Sequence, residues 1–204
     1  GRRPAMPTVA LRDPSTVNQV SERDIIAAGL RAARTDPDAV VRELRDVGDP
    51  SRRASLAQSI VDELAAQDPR LAGRVALTLG TAYGYAALVE SAGRRLVRQE
   101  PDFALRWVLD LTPDPATRQF ARAVVDEFVG ENPRTAIDRI GALPVGQARD
   151  DLLVLAAGSW ARRDGPAAVS WLRGLPDCEL RRRLTSSVGF EVAQRQPGQA
   201  LEVA

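Results

Sequence analysis

Apolar residues in this chain recur on two scales: every three or four positions within a segment, and every 32 positions from one segment to the next. Leu56, Ile60 and Leu64 stand at i, i+4 and i+8. So do Leu88, Ala92 and Leu96, then Phe120, Val124 and Phe128, then Leu152, Ala156 and Trp160, then Leu184, Val188 and Val192. Such spacing lays one continuous apolar stripe along a helix. Ala65, Val97, Val129, Ala161 and Ala193 follow each stripe directly. A shorter stripe precedes each long one. It opens on Val40, Ala72, Ala104, Ala136, Ala168 and Ala200, a column of small residues that lets two helices approach closely. Val41, Gly73, Leu105, Ile137, Val169 and Leu201 come next, then Leu44, Ala76, Val108, Ile140, Leu172 and Ala204. It closes on Val47, Leu79, Leu111, Leu143 and Leu175.

The punctuation has the same period. Pro37, Pro69, Pro101 and Pro133 are each 32 apart, and the next steps fall on Gly165 (beside Pro166) and Pro197. The preceding residues are Asp36, Asp68, Glu100, Asn132, Asp164 and Gln196. Asp and Asn cap helix N-termini well, and proline is tolerated at the first helical position. Between the two stripes of a unit lie helix stops: Gly48-Asp49-Pro50, Thr112-Pro113-Asp114-Pro115, Pro144-Val145-Gly146 and Pro176-Asp177. The unit is therefore helix, short turn, helix. A strict period of this size means stacked supersecondary units. The prediction is all-α: a right-handed α-solenoid of about five and a half helix-turn-helix repeats over residues 21–204, the sixth copy ending after its first helix. Residues 21–36 read as the second helix of a preceding, degenerate unit, with Ile25, Ile26, Leu30 and Ala33 on its apolar face. Residues 1–20 hold three prolines and no apolar periodicity, and read as a flexible linker.

On these alternating helices, the small residue of the first helix and the terminal proline, residues 21–204 resemble the tetratricopeptide-like family of α-solenoids. The period of 32 departs from that family's 34, and its Trp–Leu–Gly–Tyr consensus is missing. The run from Asp164 to Pro176, with Ala168, Trp171 and Leu175, also resembles helical repeats of uncharacterised bacterial envelope-type proteins. The first resemblance implies a superhelical protein-interaction scaffold whose groove is lined by the first helix of each unit, with no catalytic residues.

Composition narrows the chemistry. The net charge of +1 gives no global pull toward nucleic acid or anionic lipid, and 4% aromatic residues is thin for stacking bases. All 28 basic residues are Arg, and there is no Lys or His. Without histidine there is no Ser-His-Asp or Cys-His arrangement, and Cys178 alone forms neither an internal disulfide nor a zinc set. No Gly-Lys-Ser/Thr phosphate loop and no calcium loop occurs. Asp150 and Asp151 are helix neighbours and point apart, which disfavours paired-carboxylate chemistry. No cofactor is expected. The longest uncharged run, Val75 to Val89, is 15 residues broken by Gly80 and Gly84, too short for a membrane span.

Candidate contact residues come from the exposed columns of the first helices. Arg42, Arg74 and Arg106 occupy one column in successive units, which continues as Asp138, Ser170 and Glu202. They form either a basic ladder for a partner or a solvated face with i, i+4 pairs to Asp46 and Asp110. Trp107 and Trp171 share the next column, either as binding anchors or as inter-repeat packing. Tyr83 and Tyr85 sit in the uncharged segment Thr78–Tyr85, either as a ligand patch or as close glycine-mediated packing. The expected role is a non-catalytic protein- or peptide-binding scaffold. The alternative is a structural spacer, an oligomerisation module or a regulatory domain of a larger protein whose active part lies outside this chain. A scaffold keeps unpaired polar and aromatic residues in its groove, whereas a spacer fills its exposed columns with paired charges. Partners are expected to be proteins or peptides rather than nucleic acid or membrane, with self-association through an uncapped C-terminal end as a further option. An envelope or periplasmic location is favoured over the cytoplasm, from the missing initiator Met and the second resemblance.

Overall fold

The structure is a computed structural model that describes residues 21–195. The linker expected at 1–20, the sixth unit from Pro197 to Ala204 and the self-association expected of its end lie outside the described residues. Among the described residues there are eleven helices and no strand. They are α1 (Glu22–Thr35), α2 (Ala39–Arg45), α3 (Pro50–Gln67), α4 (Pro69–Tyr83), α5 (Ala86–Gln99), α6 (Pro101–Asp110), α7 (Pro115–Glu131), α8 (Pro133–Gly141), α9 (Gln147–Arg163), α10 (Gly165–Arg173) and α11 (Glu179–Arg195). The odd-numbered helices are the longer ones, except that α4, with 15 residues, slightly exceeds α1 and α5, with 14 each.

A one-residue corner produces the period. Proline pushes the residue before it out of the helical region. Asp68 (φ −145°, ψ 90°), Glu100 (φ −139°, ψ 67°) and Asn132 (φ −156°, ψ 105°) are each a single extended residue between two helices. Asp164 takes the same conformation before Gly165, with Pro166 next. Three of these residues also cap the next helix: the side chains of Asp68, Asn132 and Asp164 accept from the backbone N–H groups of Leu71, Thr135 and Ala167. Glu100 does not cap, and its carboxylate is held by Arg70 instead. Asp36 departs from the pattern: it accepts from the N–H of Asp38 at 3.0 Å, and α2 starts only at Ala39.

The second unit departs more. In the other units the first helix has seven to ten residues and the second 17 or 18. Here α4 has 15 and α5 has 14, so the turn has slid along an unchanged period. Thr78–Tyr85 lacks the polar stop found elsewhere, and α4 runs on to Gly84. That residue ends it at φ 69°, a left-handed value glycine adopts without strain. The extra turn fits because Gly80 carries no side chain where α4 meets α5 and α7. A Cβ there would overlap Val89 and lie 3.2 Å from the Cβ of Ala116.

Burial follows the sequence columns. All fifteen residues of the three long-helix columns, Leu56 to Val192, are buried, as are Val40, Ala72, Ala104, Ala136 and Ala168. Ala193, in the last described turn, is exposed. Each long helix packs on the next long helix in series, from α1 to α11. Each short helix packs on the long helices flanking it, and α6, α8 and α10 make no substantial contact with one another. No substantial contact joins helices more than three apart in chain order.

Candidate functional site

The residues singled out from sequence fall into separate places. Arg42, Arg74 and Arg106 are all exposed. Arg42 pairs with Asp36 at 3.2 Å and not with Asp46, because α2 ends at Arg45 and leaves Asp46 beyond its last turn. Arg74 and Arg106 have no ion pair or hydrogen bond among the described residues, so the expected Arg106–Asp110 pair is not formed. Trp107 is half-buried between Phe103 (ring centroids 5.8 Å apart) and the edge of Phe120 (5.2 Å), and lies against Gly73 of the preceding unit. Trp171 is half-buried on Trp160 at 5.7 Å. The two tryptophans thus belong to different clusters. Tyr83 and Tyr85 are brought together, stacked at 5.3 Å. The Tyr83 hydroxyl donates to the Val41 carbonyl at 3.0 Å, and the Arg53 guanidinium lies 5.1 Å from its ring centre. That hydroxyl therefore ties α4 to α2.

A further concavity lies elsewhere. A groove of about 740 Å³ runs along α7, α9 and α11, which are second helices of successive units. The first helices, seven to ten residues apart from α4, are too short and too separated to line a continuous trough. The groove's apolar lining includes Leu109, Ala121, Val154 and Leu155, all half-buried. Gly158 keeps α11 close, with the Ser187 hydroxyl donating to the Val154 carbonyl at 3.2 Å.

Its charged residues divide into two groups. Arg162 bridges Asp126 at 2.7 Å and Glu191 at 2.9 Å, and Arg183 pairs with Asp151. The side chains of Arg118 and Arg122, one turn apart on α7 and both exposed, have no hydrogen bond or ion pair among the described residues. Other arginines join adjacent units. Arg52–Glu22, Arg70–Glu100, Arg98–Glu127, Arg162–Glu191 and Arg183–Asp151 all span 29 to 32 residues. The position one period after Arg122 is Val154, which offers no carboxylate. One period after Arg118 is Asp150, already held by Arg149 at 2.6 Å.

A second groove of about 600 Å³ lies between α2 and α4 and reaches Asp114 and Thr117 at the start of α7. It is lined by Arg42 and Arg45 with Asp38 and Asp114 opposing them, and by neither Arg74 nor Arg106. Asp114 is committed to structure. Hydrogen bonding from the Thr117 N–H (2.7 Å) holds its carboxyl below the usual range, against the opposing effect of burial, with smaller help from the Thr117 hydroxyl, the Ala116 N–H and the Thr81 hydroxyl. Among the described residues no group of three or more His, Cys, Asp or Glu could hold a metal ion, and no helix is long and apolar enough to cross a membrane.

Arg118, Arg122 and the groove floor were missed by reasoning that looked only at first-helix columns. The available signal was the run Leu152–Gly158 in α9, seven uncharged residues that cover every face of a helix and so leave apolar surface beyond the core stripe. Comparison with family models, curated proteins and solved structures finds no match for this chain.

Proposed function

We propose that the chain is a right-handed, tetratricopeptide-like α-solenoid that acts as a non-catalytic scaffold, holding a peptide or protein partner in the groove along α7, α9 and α11. The solenoid reading is supported by contacts confined to neighbouring helices, the pattern of an array in which each repeat touches only the next. One observation carries the functional reading: an open groove with a half-buried apolar lining and two arginines that have no partner among the described residues. Arginine beside apolar surface is a frequent composition of binding hot spots. The spacer reading draws on the ion pairs that join adjacent units, since they fill exposed columns with paired charges. The groove combines two unpaired arginines with apolar surface, which favours the scaffold.

The test is selection of short random display peptides on the full chain, followed by counter-screening on Ala148→Trp. Ala148 is exposed at the groove, so an indole there fills the trough without entering the core. Peptides that bind the parent and are lost on the variant support the scaffold. No enriched peptide, or enrichment indifferent to Ala148→Trp, refutes it in favour of the spacer.

A further inference from the structure

Unpaired arginines beside an apolar groove specify the chemistry of what fits there. We infer that the α7–α9–α11 groove is selective for an acidic peptide segment of a partner protein, with carboxylates meeting Arg118 and Arg122 and apolar side chains seated on Ala121, Val154 and Leu155. The inference rests on the scaffold reading and adds the partner's chemical class. Three observations lead to it. First, Arg118 and Arg122 are i and i+4 on α7, so they stand about 6 Å apart on one face. A segment with two acidic residues one helical turn apart, or two apart in an extended strand, matches that spacing. Second, the other charged residues of the groove are already paired: Arg162 with Asp126 and Glu191, and Arg183 with Asp151. The cations of the groove that remain unpaired among the described residues therefore both lie on α7. Third, Val154, one period after Arg122, is half-buried and lines the same groove, so apolar surface accompanies the unpaired cations. A carboxylate supplied from outside completes there the ion pairing that adjacent units make elsewhere.

Guanidinium suits this task. Its planar fork binds a carboxylate through two parallel hydrogen bonds, and its weak hydration keeps the desolvation cost low as the groove closes over a ligand. A basic partner would meet only charges that are already paired, and would lose solvation at Arg118 and Arg122 without recovering it.

The experiment uses the full chain and the same display selection, read by the composition of the groove-dependent peptides. They are expected to be enriched in Asp and Glu interleaved with apolar residues, and to weaken as salt is raised. Replacing both arginines (Arg118→Ser with Arg122→Ser) is expected to weaken an enriched peptide about tenfold. The charge-keeping pair Arg118→Lys and Arg122→Lys should fall between the parent and the serine pair, because the charge stays while the fork's paired hydrogen bonds are lost. Unchanged thermal melting of all variants separates these effects from unfolding. Groove-dependent peptides of neutral or basic composition would overturn the inference and leave the scaffold standing. Acidic peptides indifferent to the serine pair would also overturn it. A concentration-dependent dimer abolished by Arg122→Glu would assign the groove to a second copy of the chain and overturn it too. Absence of any groove-dependent peptide would remove both readings.

Discussion

Gly80→Ala is predicted to destabilise the fold, although alanine is the better helix former. In the interior of an isolated helix this change gains roughly 1 kcal/mol. At Gly80 the new methyl would overlap Cγ2 of Val89, on α5, and press on the Cβ of Ala116, on α7, at 3.2 Å. Neither neighbour yields easily. Val89 is fully buried, and a β-branched side chain in a helix has essentially one rotamer. Ala116 can move only with the backbone of α7. Overpacking at such a site costs about 1–3 kcal/mol. The net expectation is therefore a loss of about 1 kcal/mol, read as a lower midpoint in urea unfolding followed by circular dichroism. Gly141→Ala supplies the control. No atom lies within 4 Å of a Cβ placed there, so the same substitution should stabilise by about 0.4–1 kcal/mol through the unfolded state. Adding Val89→Ala to Gly80→Ala removes the overlapping methyl. The double variant should then fall short of the summed single losses by at least about 0.5 kcal/mol. A Gly80→Ala protein as stable as the parent, or additive behaviour of the pair, would refute the close three-helix approach that lets α4 run past the usual turn.

Other changes test other layers of the structure. Phe120 is fully buried, with Trp107 edge-on, and Phe120→Ala should cost about 3–5 kcal/mol in the same assay. Asp114→Ala removes a reciprocal cap with Thr117 and should cost about 1 kcal/mol. The carboxyl of Asp114 is held below its ordinary value in the fold, so its contribution is complete above the unfolded pKa of about 4 and is lost as pH falls through the folded value. Asp114→Asn keeps a capping oxygen without the titration, and should flatten the stability profile over that acid range. Arg74→Ala and Arg106→Ala remove exposed, unpaired side chains and should each change stability by less than about 0.5 kcal/mol.

Where the physics is local, it could be read from the sequence. An Asp or Asn before a proline at a fixed interval means an extended corner and a capped helix, and Asp68 and Asn132 form both. The buried columns followed from helical spacing alone, down to Leu56, Ile60 and Leu64 at one end and Leu184 and Val188 at the other. Non-local effects were not legible. The slide of the turn in the second unit depends on Gly80 meeting Val89 and Ala116, an approach set by two other helices. The stacking of Tyr83 on Tyr85, and the bond from Tyr83 to the Val41 carbonyl, depend on that slide. The arginine column Arg42–Arg74–Arg106 looked continuous because equal spacing in sequence was read as adjacency in space, yet only Arg42 lines a groove described above.

A repeated fold makes its exceptions informative. When each unit solves the same packing problem, a residue that follows its column needs no explanation beyond that problem, and one that breaks it does. Gly80 and Gly84 break it and are accounted for within the chain, the first by close packing and the second by its left-handed backbone. Val154 and Leu155 break it differently. The equivalent positions in the first two units are Gln58 and Ser59, then Glu90 and Ser91, and Glu90 is bound there by Arg94 and by Gln119 of α7. In α9 the polar pair is replaced by two apolar residues that stay half-exposed, which forgoes an inter-unit hydrogen bond without gaining full burial. Arg122, which lines the same groove, is unpaired among the described residues. Exposed apolar surface and an unanswered cation are each slightly unfavourable for an isolated chain, and both are relieved by one kind of ligand. Their coincidence in one groove is why the acidic, partly apolar segment is a sharper expectation than either feature would support alone.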